Sequence, residues 1–205
     1  MDYSTLASKE SVTKTAAALA ANGIEAMVVD TKEAALESIK KLIPKGASVM
    51  NGSSRTLEQI GYIDLLKSGA HGWNNLHAAI LAETDKTKQA ALRQQAVFSD
   101  FYLGSAHAIT EEGELLIASA SGSQLPALAF TAKNIIIVAG AQKIVPTLTD
   151  ALHRLESYVY PLEDKRMKDA GQGGSVIAKI LIVAKEPAFM GRKVHLILVN
   201  EPLGF

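Results

Sequence analysis

The sequence predicts an α/β domain built on a mostly parallel sheet, and three observations carry that prediction. Strand-like runs alternate with helix-patterned segments along the chain. The runs at 135–139, 178–184 and 194–199 are apolar apart from Lys179 and His195, as expected of strands covered by helices on both faces. Several strand ends give way to turns rich in Gly and Ser. No repeat, low-complexity linker or composition shift divides the 205 residues, so a single domain over 1–205 is expected.

The elements follow in order. "ASKESVTKTAAALAANG" reads as a helix with Ser8 or Ser11 as its cap and Gly23 as its stop. "EAMVVD" is a short strand. Leu36, Ile39 and Ile43 then mark a helix face that ends before Pro44. "ASVMN" is the next strand, and Leu57 and Ile60 form the inner face of the helix after it. Residues 62–98 show no strand-like alternation and are expected to be mainly helical, a cap forming one wall of a cleft, with Thr84 or Asp85 starting the helix near its end. "DFYLGSAHAIT" and "ELLIASA" are strands joined by a turn at Glu111-Glu112-Gly113, and "GSQLPALAF" is a short helix. "NIIIVAG" is a buried strand. Thr147 and Asp150 have capping-box spacing ahead of the stripe Leu148, Ala151, Leu152, Leu155 and Val159, which Pro161 is expected to stop. "AKILIVAKE" and "KVHLILVNE" complete the strands.

Composition removes several classes of function. Lys plus Arg and Asp plus Glu number 21 each, which argues against a general nucleic-acid binder with a basic surface. There is no cysteine, so disulfides, thiolate zinc sites, cysteine-ligated iron–sulfur clusters and a cysteine nucleophile are excluded. The polar start "MDYSTLASKESVTKT" lacks a signal-peptide core, and no apolar run reaches the roughly 18 residues of a membrane span. The expected location is cytoplasmic, with no membrane partner. Histidines 71, 77, 107, 153 and 195 show no metal-binding spacing, so no metal site is expected.

The chemistry is expected beyond the carboxyl ends of the strands, where open α/β sheets bind their ligands. Four such ends carry small and hydroxylic residues. Gly52, Ser53, Ser54 and Thr56 follow the second strand, Gly104 and Ser105 a later one. Ser121, Gly122 and Ser123 come next, and Gly140 and Lys143 close the set. Glycine admits close backbone approach and hydroxyls donate hydrogen bonds, so the natural guest is a small anionic ligand, phosphate or carboxylate. The rival reading of the first loop is that Ser53 or Ser54 only caps the helix. Neither a P-loop nor a GxGxxG fingerprint is present. Asp100, between Phe98 and Phe101, and Glu111 are the candidates to move a proton, with Glu112 and Glu114 nearby. Arg55 is placed to clamp a carboxylate. The segment "DAGQGGS" at 169–175 is either a flexible connection or a loop that closes on a ligand. Trp73, Tyr158 and Tyr160 suggest a homodimer if they are exposed.

The blocks "GASVMNGSSRTLEQIG", "SDFYLGSAHAITEEGELLIASASGSQLPALAF", "KNIIIVAGAQKIVP" and "VHLILVNEPLGF" resemble the LUD domain, the family of the lactate-utilization protein LutC. The likeness is greatest to short, stand-alone members that lack iron–sulfur modules. It implies a three-layer α/β/α sandwich with a Rossmann-like sheet, similar to ribose-phosphate isomerase, glucosamine-phosphate deaminase and CoA transferases. It also implies a role in lactate or related organic-acid utilization beside iron–sulfur partner proteins. By the same resemblance Gly52, Ser53, Ser54 and Thr56 occupy a phosphate- or acyl-carrier-binding loop. No "DGADE"-like isomerase block is present, and the CoA-transferase glutamate has only a loose counterpart among Glu111, Glu112 and Glu114. Three functional readings stand: an enzyme of organic-acid metabolism, a non-catalytic subunit or sensor beside a redox complex, and a phosphosugar isomerase or acyl transferase. The cofactor is unknown; without cysteine, electron transfer needs a bound organic cofactor or a partner.

Overall fold

The computed structural model describes residues 2–205. In chain order the helices and strands are α1 (Lys9–Ala21), β1 (Glu25–Val29), α2 (Lys32–Leu42), β2 (Ser48–Asn51), α3 (Arg55–Gln59) and α4 (Tyr62–Ser68). Next come β3 (Asn74–Asn75), α5 (Leu76–Ala82), α6 (Lys86–Gln95), β4 (Phe101–Gly104), β5 (Ala108–Thr110) and β6 (Leu115–Ser119). The rest are β7 (Asn134–Gly140), β8 (Ile144–Val145), α7 (Leu148–Arg154), α8 (Tyr160–Asp169), β9 (Lys179–Val183) and β10 (Lys193–Val199). Six strands make one all-parallel sheet in the order β1-β10-β7-β4-β2-β3. A second sheet, β8-β5-β6-β9, mixes parallel and antiparallel pairs.

The central strands β7 and β10 explain why the sandwich holds. Their alternate side chains enter two different cores. Ile135, Ile137, Leu196 and Leu198 meet Leu19 of α1 and Ile109, Leu115 and Ile117 of the second sheet. Ile136, Val138, Ile197 and Val199 meet Ala35 and Ile39 of α2 and Leu57 and Ile60 of the α3 segment. Each fully buried Ile or Leu contributes about 1.5–3 kcal/mol. A third core on the outer face of the second sheet, made by Ala108, Leu116 and Val145, seats Ala151, Leu155 and Val159 of the α7 helix. The six-stranded sheet with helices on both sides is the expected three-layer arrangement; the second sheet is an addition to it.

Local signals decide the helix starts. Ser8 caps α1 by accepting from Ser11 N, Asp85 caps α6, and Thr147 and Asp150 form a full capping box at α7. Pro161 does not stop the last of these. A π turn over Leu155–Val159 carries the helix on into α8, with Tyr160 N–H donating to Leu155 O. Pro161 then falls in the first turn of α8, where a missing N–H is tolerated.

Three further expectations are corrected. The run 178–184 is not a strand of the parallel sheet: β9 pairs antiparallel with β6 at an edge, and Ile180 and Ile182 remain 41% and 40% exposed. "DFYLGSAHAIT" is two strands, because the chain leaves the parallel sheet after Gly104 and enters the second sheet at Ala108. Residues 62–98 hold three helices and a 3-10 turn, but also the two-residue strand β3, which pairs with Ser48 and Val49. Trp73 is buried, with Nε1 donating to Ile43 O at 3.1 Å, so it supplies no exposed surface for a dimer. Among the described residues, no helix is long and apolar enough to cross a membrane.

Candidate functional site

A cavity of about 820 Å³ opens at the carboxyl ends of β2 and β4. Several separate segments of the chain line it. Asn51 to Thr56 form the floor after β2. Gly104 to His107, the crossing between the two sheets, form a second wall. Ser119 to Gln124 follow β6. His77, Ile80 and Arg93 descend from the α5–α6 cap, and Leu155, Val159, Glu163 and Arg166 face in from the last long helix. Residues 172–177 contribute Gln172, Ser175, Val176 and Ile177, so the glycine-rich segment does border the cavity.

Most of the anticipated ligand residues meet here. Gly52, Ser53, Ser54, Thr56, Gly104, Ser105, Ser121, Ser123 and Lys143 all line this one cavity. Their individual duties differ. Ser54 caps α3, its Oγ accepting from Leu57 N at 3.3 Å, so the capping account of that residue is the one its geometry serves. Ser121 and Ser123 bond each other through their hydroxyls at 2.9 Å. Gly122 lies outside the lining; its amide donates to Ser119 Oγ at 2.9 Å and shapes the turn between those serines. Gly140 is also outside. A side chain there would collide with Gln142 and with the backbone of Glu201 and Leu203, so its role is to let the C-terminal segment cross the end of β7.

The two proton-moving candidates lie outside the cavity. Asp100 precedes β4 at the amino ends of the parallel strands, opposite the cavity, where its Oδ2 accepts from Ser48 N and Oγ at 2.9 and 2.7 Å. Those hydrogen bonds hold its carboxyl below the usual range and tie β4 to β2. Glu111 accepts from Ser11 Oγ at 2.7 Å and Lys14 Nζ at 3.1 Å, which lower its pKa in that order and fasten the β5–β6 turn to α1. Neither carboxylate borders the cavity.

The buried amine at the cavity is that of Lys143. It is 3% exposed, and its Nζ lies 3.1 Å from Thr56 Oγ1, 3.0 Å from Ser105 Oγ and 3.1 Å from Ala106 O. Ser105 Oγ is also 3.2 Å from Thr56 Oγ1. No carboxylate pairs with Lys143 among the described residues. Burial, with the charge of Arg154 behind it, brings its pKa from 10.5 down to about 7. Arg154 is itself fully buried without a carboxylate. Its Nη1 donates to His107 O, its guanidinium lies 5.7 and 5.2 Å from the ring centres of Tyr3 and Tyr158, and its Nε and Nη2 have no partner. His107, whose Nδ1 accepts from Ala118 N at 3.1 Å, is driven down to about 3 by burial first and then by Lys143 and Arg154.

The lining as a whole is basic. Arg55, Arg93 and Arg166 face one side-chain carboxylate, Glu163, in a chain whose formal net charge is zero. Arg166 holds Glu163 through two bonds of 2.7 Å, and Arg55 pairs with Glu58 rather than standing free as a clamp. Arg93 has no ion-pair partner among the described residues, and its charge, after burial, lowers the pKa of His77. Met50, Ile80, Val97, Val176 and Phe205 add an apolar stretch. Reasoning from sequence missed His77, Arg93, His107 and Arg154. His107, two residues beyond Ser105, and Arg154, three beyond Ala151 on the buried stripe, carried a positional signal; His77 and Arg93 carried none.

The family model of the LUD domain matches residues 12–199, most of the chain. The protein belongs to the LUD domain family. That family is associated with lactate utilization. Among solved structures, this LUD-domain chain is similar to a DUF162 family protein from Deinococcus radiodurans, with a TM-score of 0.58 and 13% identity over 96% of this chain and 100% of the other. At that identity the likeness shows the shared fold. No curated protein matches the LUD-domain chain.

Proposed function

We propose that this LUD-domain protein binds an organic anion in the cavity at the strand ends and acts in lactate or related organic-acid utilization. The observation that carries the reading is the charge of the lining: three arginines against one side-chain carboxylate in a chain of zero net charge. Desolvated cations favour carboxylate or phosphate, and the low dielectric strengthens each contact. Size refines the guest. A three-carbon hydroxy acid displaces the volume of a few water molecules, on the order of 100 Å³. The cavity holds about 820 Å³, within the range of sites for cofactor-sized ligands. Its apolar stretch calls for a ligand with a non-polar body as well as an anionic group.

Thermal unfolding with lactate, pyruvate, phosphate and CoA esters at millimolar concentration tests this. Anions should raise the melting temperature, the larger ones more than lactate. Arg93→Ala should reduce that rise, because Arg93 is the cavity arginine without an ion-pair partner among the described residues. If no anion stabilises the wild-type protein, the reading fails.

A further inference from the structure

We propose that Ser105 and Lys143 are a nucleophile and its base, and that they cleave a carboxylic ester held in the cavity. The proposal rests on the anion-cavity reading, since the ester enters by the same opening. Its first support is geometric. Ser105 Oγ stands 3.0 Å from Lys143 Nζ, within reach for direct proton transfer. Thr56 and Lys143 are buried at 1% and 3% exposure, whereas Ser105 keeps partial access and borders the cavity. Of the three bonded groups, only the hydroxyl can meet a ligand.

The hydrogen-bond count suits a neutral amine. Ala106 O can only accept, so it takes one N–H of Lys143. Thr56 Oγ1 directs its own hydrogen to Leu203 O and so takes the second N–H. The lone pair is left for the Ser105 hydroxyl. An ammonium would also satisfy all three oxygens, but it would be a buried charge with no carboxylate beside it. The charged or titratable groups around it are His107, which is neutral with a pKa of about 3, and Arg154, whose charge opposes protonation. The low pKa of Lys143, about 7, agrees with that environment.

The reaction balances without an oxidant or a metal. Lys143 Nζ takes the Ser105 hydroxyl proton as Oγ bonds to the carbonyl carbon. The ester C–O bond then breaks, and the leaving alcohol takes that proton from Lys143, leaving an acyl group on Ser105. Water attacks the acyl carbon and gives a proton to Lys143. The Oγ–C bond breaks, Ser105 recovers the proton, and a carboxylic acid departs. The net change is ester plus water to acid plus alcohol.

A fluorophosphonate probe and p-nitrophenyl butyrate test the proposal, with the adduct located by mass spectrometry. The probe should label Ser105, at a rate that rises with pH through the Lys143 transition and then levels off. S105A should abolish the adduct. K143R, whose guanidinium stays protonated and cannot act as a base, should slow labelling ~100-fold. Should K143R fail to fold by circular dichroism, the wild-type pH profile still decides. Absence of an adduct on Ser105, or a labelling rate indifferent to pH across that transition, overturns the proposal. The two readings fail separately. Stabilisation by anions without labelling removes the Ser105–Lys143 pair and spares the binding reading, whereas labelling without any anion effect does the reverse.

Discussion

Replacing Lys143 with methionine removes a buried amine while keeping most of its length, and the consequence is a change in how stability depends on pH. In the folded chain the amine titrates at about 7 instead of 10.5. The unfolded chain therefore holds a proton over this interval that the folded chain has lost. Unfolding takes up that proton, so stability rises with pH by up to about 1.4 kcal/mol per unit. Between about pH 7.5 and about pH 9.5 the accumulated gain is roughly 2.5 kcal/mol. Higher pH is less informative, because burial raises the phenols of Tyr62 and Tyr102 and their titration in the unfolded chain works against stability. Urea unfolding followed by fluorescence of Trp73, the only tryptophan, measures the effect. Wild type should gain stability across the window and Lys143→Met should be flat. The variant's absolute stability combines relief of desolvation with the loss of three hydrogen bonds, so the slope is the readout. A flat or falling wild-type curve, or a rise that survives in the variant, refutes the reasoning.

At the acid side His107 acts in the same sense. Its folded pKa of about 3, against 6.5, means that stability is whole above the unfolded value and is lost as pH falls towards the folded one. His107→Asn, which can keep an acceptor for Ala118 N without titrating, should unfold at a lower pH than wild type in an acid titration followed by circular dichroism. Ser54→Ala should cost about 1 kcal/mol in urea unfolding whether or not an anion is present, as loss of a helix cap does; a loss seen only with ligand would return Ser54 to the binding site.

What could be read from the chain followed from how each segment is covered. Residues 135–139 and 194–199 are buried on both faces, so a near-continuous apolar run was a faithful signal. The run around Ile180 and Ile182 looked the same, yet those two side chains point outward at a sheet edge; exposed apolar residues mask the alternation of a half-covered strand. The split of "DFYLGSAHAIT" had no proline or acidic or basic cluster to mark it, because the crossing residues are Ser105, Ala106 and the half-buried His107. Site residues at strand ends were legible because the turn chemistry is local. Asp100 stands just before β4, so the direction of the strand alone already puts it at the amino end, away from the cavity at the carboxyl ends. The unpaired state of Lys143 and Arg154 depends on what the rest of the chain fails to bring near them, and no local pattern records that.

The crossing at 105–107 has a consequence for folding. Thr56 belongs to the parallel sheet's side of the molecule and Lys143 precedes β8 of the other sheet, and Ser105 is the stitch between them. Either sheet formed alone would possess half of the constellation and none of its geometry. Competence is therefore born at docking, late in the assembly of the chain. An intermediate with both sheets formed but not yet docked would look native by its secondary structure and still be inert. Recovery of ligand binding should lag behind recovery of circular dichroism when the denatured protein is returned to native conditions.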